Sequence, residues 1–166
     1  MFLLPDIKLD RITEITVAML EKRGINALIL DVDNTLSTHH GQHLTEGLEE
    51  WLALMRENGI KMTVLSNSTT KRLSPFAEKI GLDFIAMGLK PLPFGYLRAI
   101  KALGSNKKNT AIVGDQVFTD TAGGNLVGLT TVLLTPIKPE SSPRFRFKRM
   151  LEKKILKHYN VQKTEE

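Results

Sequence analysis

The order of apolar segments predicts an α/β fold, a parallel sheet of about five strands with helices on both faces. Two observations carry that expectation. Apolar runs of four or five residues recur along the chain without alternation, as strands buried on both faces do. Between them, apolar residues return at helical spacing and stop at a glycine. Strand, helix and strand in repetition need crossover connections, and crossovers make parallel pairs.

The elements follow in chain order. Ile12, Ile15, Met19 and Leu20 predict an amphipathic helix closed by Gly24, and Ala27 to Leu30 is the first strand. Leu44, Leu48, Trp51, Leu52 and Met55 predict a helix running from Leu44 to Asn58 with Trp51 in the core; Gly59 supplies the left-handed residue that ends it. Met62 to Leu65 is a strand, Phe76 to Ile80 a helix, Phe84 to Met87 a strand, and Tyr96 to Leu103 a helix. Thr110 to Val113 and Thr130 to Leu134 complete the sheet. Only about 30 residues separate Thr35 from Ser66, and one helix uses half of them. Ser66 to Lys90 holds one helix and one strand, so neither interval has room for a cap domain. An open site suits a large substrate, or closure by a partner subunit such as a second copy.

A length of 166 residues suits one domain. With no cysteine, disulfide frameworks, cysteine nucleophiles and cysteine zinc sites are all excluded. No apolar run approaches the roughly 18 residues of a spanning helix, and the expected location is cytoplasmic. Charge is distributed unevenly. Residues 1–142 balance 15 Lys and Arg against 15 Asp and Glu, whereas 143–166 hold 8 against 3, which is the whole formal +5. The chain therefore reads as a neutral body, 1–142, and a basic C-terminal helix or tail, 143–166, joined by the proline-rich TPIKPESSP at 135–143.

Functional residues in such a sheet lie beyond the carboxyl ends of the strands. Those ends carry Asp31-Val32-Asp33-Asn34-Thr35, Ser66-Asn67-Ser68, Lys90-Pro91, and Gly114-Asp115 continuing to Asp120. Crowded carboxylates repel each other unless a cation joins them. Mg²⁺ prefers hard oxygen ligands, and Asp31 and Asp115 with a backbone carbonyl of the loop could supply that set. Ser66 and Lys90 offer a hydroxyl and an ammonium to phosphate oxygens. A carboxylate oxygen can then attack phosphorus while a nearby acid protonates the leaving alcohol, and Asp31 and Asp33, both aimed inward by the turn between them, suit these two jobs.

DVDNT, VLSN, KP and GDQVFTD, in that order, resemble the four motifs of the haloacid-dehalogenase-like (HAD) phosphatase superfamily, over Ala27 to Asp120. The resemblance implies a Rossmann-like domain and an Mg²⁺-dependent phosphatase forming an aspartyl-phosphate. It makes Asp31 the nucleophile and Asp33 the general acid and later base. Ser66, Asn67 and Lys90 become phosphate binders, Asp115 joins Asp31 and Asp33 at the metal, and Thr35 and Asp120 support the site. The N-terminal LLP, the DxDNTL loop, GDQxxTD and the basic C-terminus are similar to the YqeG family of class IIIA. Related eukaryotic members are phosphatidylglycerophosphate phosphatases, which implies a phospholipid headgroup as substrate.

Other assignments fit less well. Receiver domains use similar residues but place the lysine last, whereas Lys90 precedes Asp115. Dehalogenases need no acid at Asp33, because halide leaves unprotonated. His39, His40 and His43 follow the catalytic loop and read either as substrate contacts or as solvated loop residues. The segment PRFRFKRMLEKKILKHY carries seven basic residues and one acid. It reads either as a helix docked on the sheet or as a peripheral membrane attachment. A basic-tailed RNA- or ribosome-associated or scaffold protein retaining this site is the alternative function, with nucleic acid the less favoured partner.

Overall fold

The computed structural model describes residues 2–38, 43–138 and 142–164. Six strands form one parallel sheet: β1 (Ile7–Leu9), β2 (Ala27–Leu30), β3 (Lys61–Leu65), β4 (Phe84–Ile85), β5 (Thr110–Gly114) and β6 (Thr130–Leu134). Their spatial order is β1-β6-β5-β2-β3-β4. From β2 the chain winds outward through β3 and β4, then returns to β5 and winds the other way. The switch between β2 and β5 opens a crevice at their carboxyl ends. Ile29 is in register with Thr63 on one side and Ile112 on the other, so the first residues past β2 and β5, Asp31 and Asp115, emerge side by side.

Alternation along the central strands divides the core in two. Leu28, Leu30, Val64 and Val113 face helices α1 (Val17–Lys22), α2 (Leu48–Glu57) and α3 (Thr70–Ile80) through Leu20, Trp51, Leu52, Met55 and Phe76. Ala27, Ile29, Leu65 and Ile112 face α4 (Pro93–Leu103) and the end of α5 (Ala122–Val127) through Tyr96, Ala99, Ile100 and Val127. Helices thus cover both faces, as the apolar pattern requires, and no cap domain is present among the described residues. A sixth helix, α6 (Pro143–Thr164), follows.

The structure departs from the sequence reading at several elements. β1 is a sixth, edge strand of only three residues with Lys8 at its centre, too short and too polar to register as an apolar run. The predicted helix from Ile12 is broken in two. Ile12–Glu14 is a single 3₁₀ turn, and extended Thr16 caps α1 by accepting a hydrogen bond from Met19 N at 3.1 Å. α2 starts at Leu48 rather than Leu44, because Leu44 is bridged to Ser37 in the loop after β2. Trp51 is buried as expected, its Nε1 donating to the Ile15 carbonyl at 2.9 Å. β4 ends at Ile85, two residues early, and the chain turns at Met87 (φ 52°) and Leu89 (φ 55°). α5 and the π-helical turn Val117–Thr121 before it have no counterpart in the apolar pattern.

Candidate active site

Each motif leaves the sheet from a different strand and enters the same cleft. Asp31 follows β2, and the loop behind it closes on itself through Asn34 N to Ser37 O (2.8 Å) and Thr35 N to Val32 O (3.1 Å). Asn34 is left-handed at φ 60°. Ser66 follows β3 and Asp115 follows β5. Lys90 lies between β4 and α4, immediately after left-handed Leu89. Left-handed conformations at non-glycine residues cost of order 1–3 kcal/mol and gather where surrounding structure imposes them, here on two loops of the site.

Lys90 is the electrostatic centre. Its Nζ lies 2.7 Å from Asp31 Oδ1 and 2.6 Å from Asp120 Oδ1, with only 3% of the side chain exposed. Burial opposes the lysine charge, but Asp120 and Asp31 outweigh it and hold the pKa above the ordinary lysine value. The same burial pushes Asp120 up to about 6; Lys90 opposes that rise and Asp31 adds to it. Asp115 is held well above the usual carboxylate range by burial and then by Asp31, against the pull of Arg149. Tyr96, buried under the site, donates to the Thr119 carbonyl at 2.7 Å, and burial together with Asp120 keeps its phenol protonated.

Asp31, Asp115 and Asp120 each bring a carboxylate oxygen to within 4.8 Å of the others, all buried. Three buried acids against Lys90 and Arg149 leave excess negative charge, and hard oxygen donors in that arrangement can hold a divalent cation. Thr35 Oγ1 lies near both flanking acids, 3.4 Å from Asp31 Oδ2 and 3.5 Å from Asp115 Oδ1. Asp33 is not one of the three. Its carboxylate lies 3.6 Å from the Arg72 guanidinium at the first turn of α3, about a third exposed, and borders the cleft alongside Asp31.

Ser66 Oγ accepts from Ser68 N at 3.0 Å and borders the same cleft of about 270 Å³. Asn67 also borders it, but both ends of its amide engage the Lys90 backbone: Lys90 N donates to Oδ1 at 2.7 Å, and Nδ2 donates to Lys90 O at 3.2 Å. Asn67 therefore sets where Lys90 starts. His43 is exposed, and His39 and His40 lie outside the described residues.

Sequence reasoning missed Arg149. Its NH2 lies 2.5 Å from Asp115 Oδ2, and its NH1 donates to Asp115 O at 2.7 Å and to Glu152 Oε2 at 2.8 Å. Burial disfavours the guanidinium charge, but Asp115 and Glu152 raise its pKa overall. One signal was present in the sequence: Glu152 is the single acid in a run of seven basic residues; the structure buries it. Phe145, Arg72, Gln116 and Thr119 also border the cleft.

A switch-point crevice with an aspartate at the end of its central strand, opposed by a buried lysine and further acids, is an arrangement that can take a phosphate ester beside a divalent cation. Residues 8–128 match the haloacid dehalogenase-like hydrolases, and the chain belongs to that family. It is 36% identical over 155 residues to "Probable phosphatase YqeG" of Bacillus subtilis strain 168, covering 93% of this chain and 90% of that protein. Similarity at 27% over 172 residues extends to "Phosphatidylglycerophosphate phosphatase 1, chloroplastic/mitochondrial" of Arabidopsis thaliana, of which the match spans 48%. A HAD family hydrolase from Deinococcus radiodurans R1, solved with bound phosphate and sodium, shares the fold. Its TM-score is 0.60 at 19% identity, over 76% of this chain and 88% of that one.

Proposed function

We propose that the chain is a Mg²⁺-dependent phosphatase that hydrolyses a phosphate monoester through an aspartyl-phosphate on Asp31. The convergence of Asp31, Lys90, Asp115 and Asp120 carries this reading. Asp31, Asp115 and Asp120, with Thr35 beside them, would hold the ion, which when bound neutralises phosphate charge. Lys90 and the Ser66 hydroxyl bind non-bridging oxygens. An Asp31 oxygen attacks phosphorus in line as the ester P–O bond breaks, and Asp33 delivers a proton to the departing alkoxide. Asp33, then ionised, takes a proton from water as that water attacks phosphorus, freeing phosphate and restoring Asp31. Residues 1–142 form the catalytic body in this reading, and α6 is a helix docked against it.

The substrate we favour is a phospholipid carrying a terminal phosphate, met by a cytoplasmic chain at a membrane surface. Exposed Met87, Leu89, Leu92 and Phe94 surround Lys90 in sequence. A groove of about 680 Å³ between α6 and the end of β6 has Leu133, Leu134, Met150 and Leu156 among its lining; Lys8, Lys138, Arg146 and Lys153 also line it, and it reaches Asp115. No helix among the described residues is long and apolar enough to cross a membrane. Release of phosphate from phosphatidylglycerophosphate in anionic vesicles, compared with soluble glycerol phosphate, with and without Mg²⁺, tests both levels. Vesicle substrate should be preferred, and Asp31→Asn should abolish turnover of either. Activity that survives Asp31→Asn refutes the chemistry; equal use of the two substrates refutes the lipid assignment alone.

A further inference from the structure

We infer that Arg149 is a positioning residue for the metal-binding acid Asp115, so that α6 forms a wall of the active site. The inference rests on the reading above that Asp115 holds the ion.

The geometry is that of a fork. One guanidinium nitrogen takes Asp115 Oδ2 and the other takes the carbonyl of the same residue, at 2.5 and 2.7 Å. Two bonds from a rigid planar group to the side chain and the backbone of one residue set the carboxylate torsions as well as the peptide plane. Oδ1 is left turned toward Thr35, whose hydroxyl lies 3.5 Å away, on the side where the Asp31 carboxylate lies.

The fork is itself held. Glu152, one turn further along α6, accepts from Arg149 at 2.8 Å through Oε2 and from Val117 N at 3.0 Å through Oε1. Lys148 Nζ donates to Gln116 Oε1 at 2.8 Å. Three consecutive residues after β5, Asp115, Gln116 and Val117, are thus gripped by three residues of α6. A carboxylate as buried as Glu152 is costly without partners; the contacts it makes are those that orient Arg149.

Charge and position predict opposite outcomes, which makes the inference testable. As a mere cation beside a cation site, Arg149 would repel Mg²⁺, and its removal would tighten binding. As the group that aims Asp115, its removal weakens binding, by about 10–100-fold for loss of a hydrogen-bond partner to a ligand. Mg²⁺ binding to the full chain is measured by titration calorimetry, with thermal unfolding recorded beside it. Arg149→Ala and Arg149→Lys should both weaken binding, since lysine keeps the charge but not the fork. Lys154→Ala, an equal charge change at an exposed position of the same helix, should leave it unaltered. If Arg149→Ala does not fold, Arg149→Lys decides.

Binding by Arg149→Lys as tight as wild type, or by Arg149→Ala as tight or tighter, overturns the inference. Wild type that binds no Mg²⁺, or Asp115→Asn that binds it undiminished, overturns the metal reading and the inference together.

Discussion

Replacing Lys90 by methionine keeps much of its length and removes its charge from between two acids. Their oxygens lie 2.7 and 2.6 Å from Nζ, and the side chains of Asp31 and Asp120 are 10% and 2% exposed. Breaking a buried ion pair from one side costs about 3–5 kcal/mol, most of it the desolvation of the charge left behind. For a chain of this length each kcal/mol lowers the melting temperature by about 2–4 °C, so Lys90→Met should melt roughly 6–20 °C below wild type without divalent cation. Urea unfolding with chelator present measures the free-energy loss directly. Because one of the abandoned charges belongs to Asp120, the same substitution in an Asp120→Asn background should cost less, with a coupling of about 1–3 kcal/mol. Added Mg²⁺ should narrow the gap between Lys90→Met and wild type. A loss below about 1 kcal/mol, or an equal loss in both backgrounds, would show that Lys90 does not compensate these carboxylates.

Two further expectations concern Asp120. Burial raises its pKa from 3.8 to about 6 in the folded chain, so folding takes up a proton there. The stability it contributes is full below about pH 4 and is lost as pH rises through about 6. Metal-free urea unfolding across that range should show the decline, and an equally steep decline in Asp120→Asn would assign it to another group. Gly114→Ala would place a Cβ 2.7 Å from that of Asp120 and into its carboxylate. It should cost about 1–3 kcal/mol and weaken Mg²⁺ binding in calorimetry; a variant indistinguishable from wild type would contradict the tight approach of β5 to Asp120.

The loops of the candidate site were legible in the sequence because two short-range rules place them. Unbroken apolar runs mark strands buried on both faces, and in a parallel sheet polar residues after such runs share one edge. Asp31, Ser66, Lys90 and Asp115 could therefore be brought to one crevice by counting. Trp51 could be assigned to the core by its spacing alone. Weak local signals failed where packing decides. β1 is too short and polar to stand out, yet it pairs with β6 because that edge offers free backbone groups, and Asp6 and Thr131 lock the entry to it through Thr131 N to Asp6 Oδ2 at 2.9 Å.

Choice of partner belongs to the tertiary structure. Asp120 touches Lys90 directly, Asp33 turns toward Arg72, and the Asn67 amide is spent on the Lys90 backbone. In sequence Arg149 is one basic residue among seven; in space it grips Asp115 across 34 positions of chain. Spacing records which residues a helix or strand turns inward. It carries no information on which of several like charges reaches a given carboxylate, because that depends on how a helix beyond a proline-rich linker settles against the sheet, and only the packed molecule determines it.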